Sequence, residues 1–96
     1  MAHRLAAAAQ VLGAWFHQDW PDEFADADAA VAAMIAGTPL PLRRAAAHEL
    51  RALLAAEPDD AAVRAALIDE AGCCYEPAAD GMDVRAWTGW LADRLA

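Results

Sequence analysis

Few side chains in this sequence are suited to chemistry. They are His3, His17, His48, Cys73, Cys74 and 15 carboxylates. His17 and Asp19 stand two apart and supply two potential metal ligands, and His48-Glu49 supplies two more. A protein metal site needs more ligands than that at a spacing that converges. There is no His-Glu-x-x-His, no Cys-x-x-Cys and no EF-hand loop. Serine is absent, which excludes a serine nucleophile, and no residue near Cys74 in the sequence would activate its thiol. The five glycines stand singly, so no glycine-rich loop is available to cradle a phosphate. The expectation is a protein that is not an enzyme and holds neither metal nor cofactor.

The carboxylates are distributed more informatively. Asp19, Asp22, Glu23, Asp26 and Asp28 fall within ten residues that contain no basic residue. Asp26 and Asp28 suit the start of a helix, where the peptide dipoles favour negative charge. Asp19, Asp22 and Glu23 are left over, interleaved with Trp20 and Phe24. Such a mixed acidic and aromatic surface suits docking to a basic partner, because complementary charge steers association and selects the partner. Asp69 and Glu70 form a second acidic pair. The whole chain carries a net charge of -8, with seven basic residues that are all arginine. That charge disfavours nucleic acid and anionic membranes as partners and favours a basic protein surface, although acidity also serves solubility alone.

These residues are positioned by helices. Of 96 residues, 29 are alanine, the strongest helix former, so ten leucines and four tryptophans must supply most of the burial. Residues 1–96 are expected to form a single domain, an all-α compact bundle of about five helices. The first runs from Ala2 to His17 with Leu5, Leu12, Trp15 and Phe16 inward. The second spans Asp26 to Ala36, with Val31, Met34 and Ile35 inward, and stops at Gly37. The third starts at Thr38-Pro39 or at Pro41 and reaches Ala56, presenting Leu42, Leu50, Leu53 and Leu54. Glu57-Pro58-Asp59-Asp60 starts the fourth with proline in its first position; Val63, Leu67 and Ile68 face inward and Gly72 ends it. Cys73 to Met82 reads as a loop. Asp83 caps the fifth helix, whose apolar residues are Val84, Trp87, Trp90, Leu91 and Leu95. No stretch approaches the roughly 18 apolar residues that span a bilayer. Adjacent Cys73 and Cys74 cannot staple distant segments, so free thiols in a reducing cytoplasm are expected.

The hexapeptide Trp15-Phe16-His17-Gln18-Asp19-Trp20, at the end of a helix and followed by the acidic run, resembles the immunity proteins of contact-dependent growth inhibition systems, the CdiI type. His48-Glu49-Leu50, Leu53-Leu54, Gly72, Tyr75, Pro77, Trp87 and Trp90-Leu91 follow in the same order, so the resemblance extends from about Leu5 to Leu95. It implies a cytoplasmic antitoxin that binds the C-terminal domain of a cognate toxin, often a basic nuclease, and blocks it without chemistry, as a monomer in a 1:1 complex. The shared hexapeptide would then be scaffold. Asp19, Asp22, Glu23, Asp26, Asp28, Asp69 and Glu70 become the candidate contacts. A small acidic helical adaptor that masks a basic protein surface is the alternative reading.

Overall fold

The computed structural model describes residues 3–96, and all regular structure among them is helical. The helices are α1 (Ala6–Trp15), α2 (Trp20–Glu23), α3 (Ala27–Gly37), α4 (Leu40–Ala56), α5 (Asp60–Ala65) and α6 (Val84–Leu95). A π turn, Ala66–Glu70, continues α5, and a 3₁₀ turn, Pro77–Asp80, interrupts the expected loop. The five expected helices are therefore present. One-turn α2 is an addition built on Asp19-Trp20-Pro21, with proline in its first turn.

Helix boundaries follow the chemistry of their ends. The expected start of the first helix, Ala2, lies outside the described residues. Its end falls at Trp15 rather than His17, because Phe16 N–H donates the last helical bond to Leu12 O and Phe16 then leaves helical geometry (φ -110°, ψ 41°). Asp26, Asp59 and Asp83 each cap a helix, accepting from the amides of Ala29 (2.8 Å), Ala61 (3.3 Å) and Ala86 (2.9 Å). Because Asp59 is the cap, Pro58 lies before α5 rather than in its first position. Gly72 ends the π turn in the left-handed region (φ 67°), and Cys73 N–H reaches back to Leu67 O at 2.9 Å.

Two helix ends have no sufficient local cap and are satisfied by other elements. Helix α1 begins at Leu5 with no capping side chain and no acidic residue in its first turn. Glu49 of α4 supplies what is missing: its two carboxylate oxygens accept from Ala7 N–H (3.1 Å) and Ala8 N–H (2.9 Å). At the other end of α4, the Arg85 guanidinium on α6 donates to the carbonyls of Leu54 (2.8 Å) and Glu57.

The core lies where α4 packs between α1 and α6. Leu50 and Leu53 of α4 meet Leu5, Leu12 and Val11 from one side and Leu91 and Leu95 from the other, all at most 2 % exposed. Buried Ala8, Ala46, Ala47 and Ala92 occupy positions where larger side chains would hold the helix axes apart. Gly37 shows how close the approach becomes: a β-carbon there would lie 2.6 Å from the Trp15 indole.

Six apolar-stripe expectations change. Trp15 is only half-buried, although it packs against the core. The same holds for Ile35, Leu42 and Leu54. Ile68 is 39 % exposed. The π turn bonds Ala71 N–H to Ala66 O, five residues back, so the 3.6-residue period that placed Ile68 inward does not hold there. Trp90 is 40 % exposed. The buried stripe of α6 is Val84, Trp87, Thr88, Leu91, Ala92 and Leu95, and at 100° per residue Trp90 lies roughly 130° from its midline.

Phe16→Ala should cost about 3–5 kcal/mol in urea denaturation, whereas Trp90→Ala, off the buried stripe and 40 % exposed, should cost less than about 1.5 kcal/mol. Glu49→Ala should lower stability by about 1–3 kcal/mol, because it uncaps α1 within a partly buried contact. Amide exchange should show that loss first as faster exchange at Ala7 and Ala8.

Candidate partner-binding surface

The hexapeptide is the scaffold of the site. Phe16 is fully buried and stacks on Tyr75 (5.2 Å between centroids, 22°), with Trp20 (5.3 Å) and Trp87 (6.0 Å) edge-on to it. Tyr75 also meets Trp20 (5.5 Å) and Trp87 (5.2 Å). Offset and edge-to-face geometries let each positive ring edge meet a negative face. Cys74 N–H donates to Phe16 O at 2.8 Å, which ties the loop to the motif. His17 organises the turn. Its Nδ1 accepts from Asp19 N–H (3.1 Å), so the neutral ring carries its proton on Nε2 and donates to Glu23 (3.2 Å).

All seven candidate contact carboxylates are exposed; five of them border three separate cavities, and Asp19 and Asp22 border none of the three. Glu23 lies beside His17 and Trp15 in a cavity that extends to Gly37 and Leu42. Asp26 and Asp28 border a different one with Tyr75, Asp80 and Met82. Asp69 and Glu70 border a third, with His3 and Leu5. Their freedom differs as well. Glu70 is bound by Arg4 (2.8 Å), which bridges it to Glu57 (2.9 Å) and holds its carboxyl below the usual carboxylate range. Asp26 is occupied as the α3 cap. Among the described residues no cation lies within 4.0 Å of Asp19, Asp22, Asp26, Asp28 or Asp69.

Sequence spacing did not single out Asp80, Met82 and the exposed face of Trp90, and it marked Asp83 only as a helix cap. The turn through Gly81 (φ 76°) brings Met82 and Asp83 beside Asp28. Asp80 accepts from Tyr75 O–H at 2.7 Å, and burial together with that bond pushes the phenol upward. Asp60 is also raised, first by its hydrogen bond with Asp83, and Arg85 offsets this only from 3.9 Å. A signal was present for Trp90, whose position off the α6 stripe can be read from helical periodicity.

Among the described residues the potential metal ligands do not converge. Glu49 is occupied at the α1 terminus, and among the described residues no three His, Cys, Asp or Glu side chains converge on a metal position. Both cysteines are free. Burial raises the Cys73 thiol to about 12, opposite to the shift an activated thiolate needs. No helix among the described residues is long and apolar enough to cross a membrane.

These features define an acidic, all-helical protein with an aromatic scaffold and an exposed carboxylate face. The chain belongs to the CdiI immunity protein family, whose pattern it matches over residues 4–95. Membership carries a role in immunity to a contact-dependent growth inhibition toxin. No curated protein and no solved structure matches it.

The raised Asp60 gives a signed prediction. A carboxyl favoured in its protonated form by folding contributes stability at low pH that is lost as pH rises through its folded value. Asp60→Asn should therefore raise the thermal midpoint at pH 7, and the gain should shrink as pH falls from the raised folded value toward the ordinary aspartate value, below which it is gone.

Proposed function

We propose that this immunity protein neutralises a basic, nuclease-like toxin domain by covering its active site or substrate groove, in the cytoplasm and as a monomer in a 1:1 complex. The supporting observation is that Asp19, Asp22, Asp26 and Asp28 are exposed and, among the described residues, have no cation within 4.0 Å. A nuclease must attract a polyanion and so presents cationic side chains around its substrate path. A carboxylate-bearing surface competes for those cations, and long-range attraction accelerates the encounter. Inhibition needs no chemistry from the immunity protein, since a covered groove admits no substrate. The rigid aromatic cluster beneath the acidic segment supports such binding, because a preorganised surface loses less entropy on association.

The test uses the toxin domain encoded beside this gene. Co-expression should restore growth, an equimolar amount should stop cleavage of DNA or RNA by the toxin, and sedimentation should give a 1:1 complex. Combining Asp19→Asn, Asp22→Asn and Glu23→Gln should lower the association rate about tenfold at low salt, with a smaller change in dissociation. Unaltered association by that variant would move the contact elsewhere. A toxin that cleaves no nucleic acid would remove the nuclease assignment.

A further inference from the structure

Two adjoining cavities meet at the mouth formed by the first turn of α3, the Gly81 turn and the first half of α6. One, of about 270 Å³, is bordered by Asp28, Met82, Asp83, Ala86, Trp87 and Trp90. The other, of about 230 Å³, shares Asp28 and Met82 and adds Asp26, Tyr75 and Asp80. The walls are apolar where Met82 (39 % exposed) and Trp90 (40 % exposed) stand open, and they carry carboxylates on both sides.

We propose that this cleft is the anchor point for the partner and that it takes an arginine side chain, its guanidinium between the carboxylates of Asp28 and Asp83 and its methylene stem against Met82 and Trp90. This rests on the immunity reading, in which the arginine belongs to the toxin. Charge complementarity selects the occupant. Among the described residues no cation lies within 4.0 Å of Asp28 or Asp83, and Asp83, whose Oδ2 caps α6, faces a further carboxylate, Asp60. An independent observation concerns the indole: Arg94 already holds its guanidinium 5.7 Å from the centre of the Trp90 ring. That contact shows a guanidinium on this very side chain. Trp90 keeps its 40 % exposure with Arg94 in place, so open surface remains for a second cation. A guanidinium suits the cleft better than an ammonium because it is planar, offers donors in several directions and is weakly hydrated. Its stem also covers apolar surface that would otherwise face water. Aromatic and arginine side chains are the usual energetic anchors of interfaces, and this cleft would join one of each.

The cleft can be tested without the toxin. Titrating the labelled protein with N-acetyl-arginine amide should produce saturable shifts at the Trp87 and Trp90 indole N–H groups and at the Met82 amide. Asp28→Asn and Trp90→Leu, each checked for unchanged helicity, should weaken that binding about three- to fivefold. The neutral N-acetyl-citrulline amide should produce no saturable shift. Equal shifts with citrulline, or the largest shifts at Asp19 to Glu23 or at Asp69, would overturn the proposal. The toxin domain supplies a second arm. If the parent protein binds it and both variants bind it equally well, the cleft is not the anchor, while the immunity reading stands. If the parent protein does not bind it, the immunity reading fails, and the amide titration alone decides the cleft.

Discussion

The capping of α1 by Glu49 is the contact on which the rest of the structure depends. The helix has a run of alanines, a leucine at its N-cap and no acidic residue in its first turn, so its opening amides have no local acceptor. Leaving such donors unpaired in a partly buried position is costly. Glu49 projects from the middle of α4 and accepts from two consecutive amides, which fixes α1 against α4 in both position and rotation. That register turns Leu5, Leu12 and Phe16 toward the core. Arg85 does the complementary work at the other end of α4, where it pairs with orphan carbonyls and fixes α6. A chain so rich in alanine buries little area per residue, and polar contacts at helix ends supply the specificity that bulky packing provides elsewhere.

With α1 and α6 fixed on α4, the aromatic residues fall into one cluster. Phe16 comes from the end of α1, Trp20 from α2, Tyr75 from the loop and Trp87 from α6. Rings from four segments meeting at one point hold the loop and α2 more firmly than their few backbone bonds could. The hexapeptide thus serves the function indirectly. Phe16 is buried, Trp15, His17 and Trp20 are half-buried, and the motif sets where the acidic segment and the Gly81 turn emerge at the surface.

The electrostatic pattern follows from the same geometry. Arginines at 4, 51, 64 and 85 are committed to carboxylates or carbonyls away from the Asp19 to Asp28 segment. The negative potential there is left uncompensated. At the α3 end of that segment it coincides with exposed apolar surface from Met82 and Trp90. Charge for steering and apolar area for desolvation occur together there, and this combination suits a protein partner better than charge alone.

Much of the helical layout was legible in the sequence because its signals are local. Asp26 and Asp83 cap the helices that follow them, Gly72 stops one through a positive φ, and apolar spacing identified Val31, Met34, Leu50, Leu53, Leu91 and Leu95 as core. Family membership was legible too, through the order of aromatic residues that the scaffold requires. Ile68 faces outward because a π turn changes the period without a sequence signature, and Trp90 because, although three residues from Trp87, it lies far from the midline of the whole α6 stripe. Only the tertiary structure decided that Glu49 is a cap rather than a ligand, that the acidic run is divided between separate faces, and that Asp28 joins Asp83, Met82 and Trp90. Those outcomes depend on how α1, α3 and α6 are rotated against α4. That rotation is set by contacts between residues more than forty positions apart, which no local pattern encodes.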